Sequence, residues 1–264
     1  LMINIRMDIR ESIRQFLVSR GYGRIRLKAV LFDMDGVLFD SMKNHTLAWQ
    51  KAMAARGISA DRNEFYLYEG CTGKGTIDQF FRRIYGREAD EKEVEQIYQA
   101  KSRFFNEMPT VEIMPGIRDI LFDLKKYGLK AILVTGSAQH SLLDRLEKEF
   151  PGVFLPAYRV TAADVKQGKP SPEPYLRGLA KAGVRADEAL VIENAPMGVQ
   201  AAVAAGIFTI AVNTGPIPPQ KLYEAGADIL FPDMLSLAAV FGEIVGLFKE
   251  EYLCQERRSP TTSE

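Results

Sequence analysis

A chain of 264 residues, 47% hydrophobic and 26% charged, can bury one large core or two unequal ones without a partner. Its 34 basic residues balance 34 acidic ones, which excludes the one-signed field of a nucleic-acid or membrane-surface binder, so any anion must be captured by a few local groups. No apolar run approaches the roughly 20 residues of a spanning helix, no apolar signal core opens the sequence, and Cys71 and Cys254 are far apart, the latter in a polar tail. The expectation is a cytoplasmic monomer with free thiols and with no nucleic-acid or membrane partner.

Residues 1–26 read as a helical extension, because Ile9, Ile13, Phe16 and Leu17 recur at helical spacing between Met7 and Arg20. Lys28–Asp33 then forms an unbroken apolar strand that ends in acid. From about Asn44 to Asn106 the chain is rich in Ala, Glu, Arg, Gln and aromatics and reads as consecutive helices. Beyond it, strand candidates Lys130–Thr135, Ala189–Glu193, Thr209–Val212 and Asp228–Phe231 alternate with helical stretches. Continuous apolar strands are expected where helices cover both faces of a parallel sheet.

The predicted fold is therefore α/β: a Rossmann-like, doubly wound parallel sheet built from residues 27–43 and 107–250. An all-helical cap, residues 44–106, is inserted after the first strand, and a disordered tail occupies 251–264. Since the insertion leaves after the first strand and returns near Met114-Pro115-Gly116, it should lie over the carboxyl end of the sheet, where ligands bind. Phe39–Ser41 and Thr110–Met114 would be the hinges of a lid.

The chemistry is written at the strand ends. Asp33-Met34-Asp35-Gly36 puts two carboxylates beyond a buried strand, a costly arrangement unless a cation or a reaction uses them. One could attack phosphorus while the other moves protons; taken alone, the pair could equally be an acidic turn capping a helix. Thr135-Gly136-Ser137 offers two hydroxyls at a helix start, suited to phosphate oxygens. Lys169 is held between Gly168 and Pro170, and Glu193-Asn194 closes a third strand with two oxygen-bearing side chains that suit a hard cation.

These four motifs, in this order, resemble the haloacid dehalogenase superfamily, and the helical insert resembles its C1 cap. The resemblance implies a magnesium-dependent phosphohydrolase. It makes Asp33 the nucleophile that becomes an aspartyl phosphate and Asp35 the general acid and base. Thr135 becomes the phosphoryl-binding hydroxyl, with Gly136 and Ser137 beside it, and Lys169 the neutralising cation. Magnesium ligands would come from Asp33, the Asp35 carbonyl, Asn194 and Glu193. Asn194 stands where an aspartate is commoner, which weakens the metal site and leaves open whether Asn194 binds directly with Glu193 acting through water.

Asp40-Ser41, His45 and Trp49 resemble the β-phosphoglucomutase-like branch, in which a histidine at position 45 aids acid/base gating. In the cap loop Glu69-Gly70-Cys71, Cys71 replaces the basic residue that holds a second phosphate in the mutases. Glu69 together with Asn194 resembles a bacterial subgroup of inorganic pyrophosphatases, and Lys74 is a candidate contact to the leaving group. The expected reaction is hydrolysis of a small phosphorylated substrate, pyrophosphate ahead of sugar phosphates. A mutase acting on β-glucose 1-phosphate and a catalytically silent phosphate-binding module are the alternatives. Dehalogenation is disfavoured because it needs neither Asp35 nor magnesium.

Overall fold

The computed structural model describes residues 2–137 and 140–250; the polar tail with Cys254 lies outside the described residues. In chain order, helix α1 (Met2–Arg20) leads to strand β1 (Ala29–Phe32) and a short strand β2 (Phe39–Asp40). Helices α2 (Met42–Ala54), α3 (Glu64–Leu67), α4 (Gly73–Tyr85) and α5 (Glu91–Asn106) follow, closed by strand β3 (Glu112–Ile113). The chain then alternates: α6 (Ile117–Tyr127), β4 (Lys130–Val134), α7 (His140–Glu149), β5 (Arg159–Val160), α8 (Glu173–Ala182), β6 (Ala189–Glu193), α9 (Pro196–Ala204), β7 (Phe208–Val212), α10 (Pro219–Glu224), β8 (Ile229–Phe231) and α11 (Met234–Glu250).

Six strands make one sheet in the order β5-β4-β1-β6-β7-β8, every neighbouring pair parallel. Numbered by first appearance this is the doubly wound order 3-2-1-4-5-6, whose ligands bind beyond the strand ends where the order reverses. The strands are unbroken apolar runs because both faces are covered. Val30, Phe32, Leu133 and Ile192 pack with α1, α6 and α11 through Ile13, Ile120 and Phe241. Leu31, Ile132, Val134 and Val191 pack with Tyr175 and Leu179 of α8 and Ala201 of α9. Each large apolar side chain so buried stabilises by roughly 1.5–3 kcal/mol.

α1 docks by the residues its periodicity picks out, Ile9, Ile13, Phe16 and Leu17, all buried, with Phe16 edge-on to Phe208 at 5.2 Å. It begins at Met2 rather than Met7. Helices α2 to α5 gather a separate apolar cluster around Trp49, Phe65, Phe80 and Ile97. The two expected hinge segments are paired with each other, a feature the sequence does not display: Phe39 lies opposite Ile113 and Asp40 opposite Glu112, antiparallel. Entry to and exit from the helical insertion are thus tied together, and Arg145 of α7 secures the pair by donating to the Val111 carbonyl and lying 5.3 Å from the Phe39 ring.

Candidate active site

Register assembles the site. Phe32 is level with Leu133 and with Ile192, so Asp33, Thr135 and Glu193-Asn194 emerge along one edge. Asp33 is 2% exposed; its Oδ1 accepts from Lys169 Nζ at 2.5 Å and its Oδ2 from the Asp35 backbone N–H at 3.1 Å. Gly36 follows with φ +83°, and a Cβ there would lie 2.0 Å from Asn194 Nδ2, so the turn admits no side chain.

Asp35 is set by the start of α2. Ser41 Oγ donates to its Oδ1 at 2.6 Å, and His45 Nε2, one turn on, meets the same oxygen at 2.8 Å. Burial pushes the Asp35 carboxyl up, but the charge and hydrogen bond of His45, the Ser41 hydroxyl and the Lys101 charge bring it below the usual aspartate value. An ionised Asp35 can accept and not donate, so His45 carries its proton on Nε2. Burial and then Lys101 lower the histidine, Asp35 opposing, with a net shift downward.

Lys169 Nζ contacts three oxygens, Asp33 Oδ1 at 2.5 Å, Glu193 Oε1 at 2.6 Å and the Val134 carbonyl at 3.1 Å. Burial opposes its charge, and the two carboxylates more than offset that and hold the ammonium protonated. Glu193, a candidate metal ligand from the sequence, has both oxygens engaged by the protein instead. Oε1 accepts from Lys169 and from Tyr175 Oη at 2.7 Å, and Oε2 from the backbone N–H of Asn194 at 2.9 Å and of Ala195 at 3.3 Å. Of the two expected candidates, Glu193 is thus occupied by protein donors, and Asn194 is the one that keeps an unengaged side-chain oxygen.

Asn194 Nδ2 donates to Glu69 Oε1 at 2.9 Å, so Glu69 crosses from the cap loop to the sheet edge and is not a solvated loop acid. Asn194 Oδ1 and Glu69 Oε2 are buried acceptors without a hydrogen-bond donor. The site is also short of positive charge. Burial, then Glu193 and Asp35, push Asp33 up to about 7 against the pull of Lys169. Burial and the Asp33 charge raise Glu69 well above the usual range, against the Asn194 hydrogen bond. Among the described residues no three His, Cys, Asp or Glu side chains form a metal cluster; the donors are mixed carboxylate and amide oxygens. Two orphaned acceptors beside under-neutralised acids fit a hard divalent cation.

A cleft lies between the sheet edge and the helical insertion, lined by Asp33, Asp35, His45, Glu69, Thr135 and Ser137 among others. Thr135 Oγ1 accepts from the Ser137 N–H at 3.0 Å. The cap loop lies on the core along a seam of glycines. A Cβ at Gly136 would meet the Gly70 carbonyl at 2.2 Å, one at Gly70 would meet Lys169 Cδ at 2.7 Å, and one at Gly168 would meet Thr72 Cγ2 at 2.7 Å. Cys71 Sγ donates to the Lys169 carbonyl at 3.3 Å, and burial, opposed by Lys169, pushes its thiol up to about 12, so it stays neutral.

Two lysines depart from expectation. Lys74 is not in the cleft: Asp78, one turn along α4, and Glu88 hold its ammonium, the nearer acid capturing it on the helix surface. Lys101 of α5, which no motif marks, is 2% exposed and lines the cleft. Its Nζ lies 5.2 Å from the ring centroid of Phe105, 5.5 Å from Trp49 and 5.6 Å from Tyr98. Burial lowers it to about 8, the attraction of Asp35 notwithstanding. The available signal was its place in the apolar stripe Ile97, Lys101, Phe105, where a surface helix carries no charge.

A family model described as a haloacid dehalogenase-like hydrolase matches residues 27–206, well over half of the chain. The chain belongs to this family. Hexitol phosphatase A of Escherichia coli (strain K12) is 31% identical over 191 residues, 72% of this chain and 84% of that protein. Beta-phosphoglucomutase of Bacillus subtilis (strain 168) is 28% identical over 200 residues, 72% of this chain and 84% of that protein. A solved structure from Bacteroides vulgatus, described as a candidate beta-phosphoglucomutase, is 50% identical with a TM-score of 0.89, covering 92% of this chain and 99% of that one. This haloacid dehalogenase-like hydrolase is thus an enzyme of the phosphatase/hydrolase kind with the Rossmann-like fold of its family, and the resemblance carried by its four motifs is correct. Among its described residues no helix is long and apolar enough to cross a membrane.

Proposed function

We propose that this hydrolase moves a phosphoryl group from a small phosphorylated substrate to Asp33 and then to water. Asp33 attacks phosphorus and the bond to the leaving group breaks. Asp35, ionised, takes a proton from the water that attacks the aspartyl phosphate; as general acid it would first have to be protonated, which its lowered carboxyl opposes, so an anionic leaving group that departs without a proton suits it best. Lys169 neutralises nucleophile and phosphoryl oxygens, and the hydroxyls of Thr135 and Ser137 receive those oxygens. Asp33, the Asp35 carbonyl and Asn194 would hold Mg²⁺ with Glu69 beside them. When bound, the cation offsets the negative charge gathered between carboxylates and phosphate. The observation that carries the reading is the buried Asp33–Lys169 contact of 2.5 Å at the floor of the cleft.

For the substrate we infer an anionic leaving group, with pyrophosphate first. The charge of Lys101 acts on Asp35 and His45, the leaving-group side, where an ammonium favours a departing phosphate over a neutral alcohol. Glu69 beside Asn194 supplies the metal-side acid that the amide lacks. The relatives named above lend pyrophosphate no support; sugar phosphates are the second reading, favoured by the names hexitol phosphatase and beta-phosphoglucomutase. Specificity constants decide among them: pyrophosphate, hexose phosphates, and β-glucose 1-phosphate with a bisphosphate primer, each with Mg²⁺ and with chelator. Pyrophosphate should rank first. Hexose phosphates ranking first would move the substrate to the second reading, net isomerisation would make the enzyme a mutase, and no turnover with any of them would leave a binding module.

A further inference from the structure

We propose that Tyr175 is a positioning residue for phosphoryl transfer, its hydroxyl fixing Glu193 and Glu193 in turn fixing Lys169 against Asp33. The inference rests on the reading of Asp33 as the phosphoryl acceptor.

Tyr175 lies in the first turn of α8, just beyond the loop that carries Lys169, and its side chain is wholly buried. Its Oη donates to Glu193 Oε1 at 2.7 Å, the same oxygen that Lys169 Nζ reaches at 2.6 Å, and the tyrosine ring centroid is 5.1 Å from that nitrogen. The opposite oxygen of Glu193 is pinned by the N–H groups of Asn194 and Ala195, so the carboxylate cannot turn. Helix α9 leaves space for it with Gly198, whose Cβ would stand 1.9 Å from Oε1. Burial and the neighbouring Glu193 and Asp33 charges raise the phenol well above its usual value, so it remains a donor.

This arrangement divides one ammonium between two carboxylates. Glu193 Oε1 satisfied by a phenol draws less on Lys169; deprived of that donor it draws more, and Asp33 loses part of its counter-charge where the transferred phosphoryl group adds negative charge. Substrate binding at the cap is untouched. A tyrosine kept for packing alone would be replaced by phenylalanine without loss, since the ring and its contact with Lys169 survive.

The test is steady-state phosphate release with Mg²⁺ by wild type, Tyr175→Phe and Asp33→Asn, beside thermal denaturation of each. The expected result for Tyr175→Phe is kcat lower by about tenfold, as for loss of a hydrogen bond to a charged group, with KM and Tm close to wild type. Site-specific 3-fluorotyrosine at position 175, which keeps the shape and alters the donor, should also shift kcat and leave KM. A phenylalanine variant with wild-type kcat, or one whose loss falls on KM or tracks a drop in Tm, overturns the inference while Asp33→Asn remains inactive. If Asp33→Asn turns over like wild type, the reading of the site fails and the inference with it.

Discussion

Two buried ammonium groups, one lining the cleft and one paired with Asp33, are shifted in opposite directions. Lys169, from the core, touches Asp33 and Glu193 at 2.5 and 2.6 Å; Lys101, from the cap, stands against Phe105, Trp49 and Tyr98. Burial works against the charge of both. Carboxylates in contact outweigh it at Lys169, and the attraction of Asp35 does not outweigh it at Lys101. Contact with two carboxylates holds the core charge, whereas burial weakens the cap charge, which an entering anion would strengthen. In the proposed reaction such a division would pair the nucleophile with a fixed cation and leave the second charge to respond to a bound phosphate.

The comparison breaks most visibly at Lys169. Lys169→Gln leaves two buried acids without their cation, and we expect kcat to fall on the order of a thousandfold with a loss of about 3–5 kcal/mol of stability, read by phosphate release and denaturant unfolding. Lys101→Gln should instead cost about ten- to a hundredfold in kcat/KM, through kcat as well as KM, with little change in Tm. The pH dependence sharpens the contrast. Lys101 is charged below about 8, so kcat/KM should fall as pH rises through that value, and the variant should lack this limb. A next smaller effect is expected at the seam between the two regions. A methyl at Gly136 collides with the Gly70 carbonyl, so Gly136→Ala should raise KM by roughly tenfold through a displaced cap loop, leaving Mg²⁺ dependence intact.

Outside the site, Asp228 shows the same rule without a lysine in contact. Burial raises its carboxyl to about 6, the Thr209 N–H and Arg20 opposing. Because the folded state binds this proton more tightly than the unfolded one, the contribution is favourable at low pH and is lost as pH rises from about 4 to 6. Asp228→Asn, which can still accept from Thr209, should therefore gain roughly 2–3 kcal/mol at pH 7 and nothing near pH 4, measured by thermal denaturation at both.

The core side of the cleft was legible because its residues follow strands whose continuous apolar character marks them: Asp33, Thr135 and Asn194 each stand within two residues of a strand end. Lys169 was legible from its place between Gly168 and Pro170. The strands β2, β3 and β5, two residues each, are too short to leave a period, so the hinge pairing and the edge of the sheet were not foreseen. Lys74 misled because sequence shows a charge near the cap loop without the acid that captures it, Asp78. Lys101 was missed because one lysine in a highly charged helix stands out only once its buried face is known. Tyr175 lay hidden for a related reason: its partner, Glu193, is 18 residues away in sequence and reads equally well as a candidate metal ligand.

The central claim is that Asp33 takes up the phosphoryl group, and trapping that adduct tests it most directly. Enzyme turning over substrate with Mg²⁺ is quenched with borohydride, which reduces an acyl phosphate, and the peptide containing residue 33 is examined by mass spectrometry. The account predicts conversion of Asp33 to homoserine, dependent on substrate and Mg²⁺ and absent from Asp33→Asn, which should be inactive. A modification at another residue, or an Asp33→Asn enzyme with wild-type turnover, would contradict it.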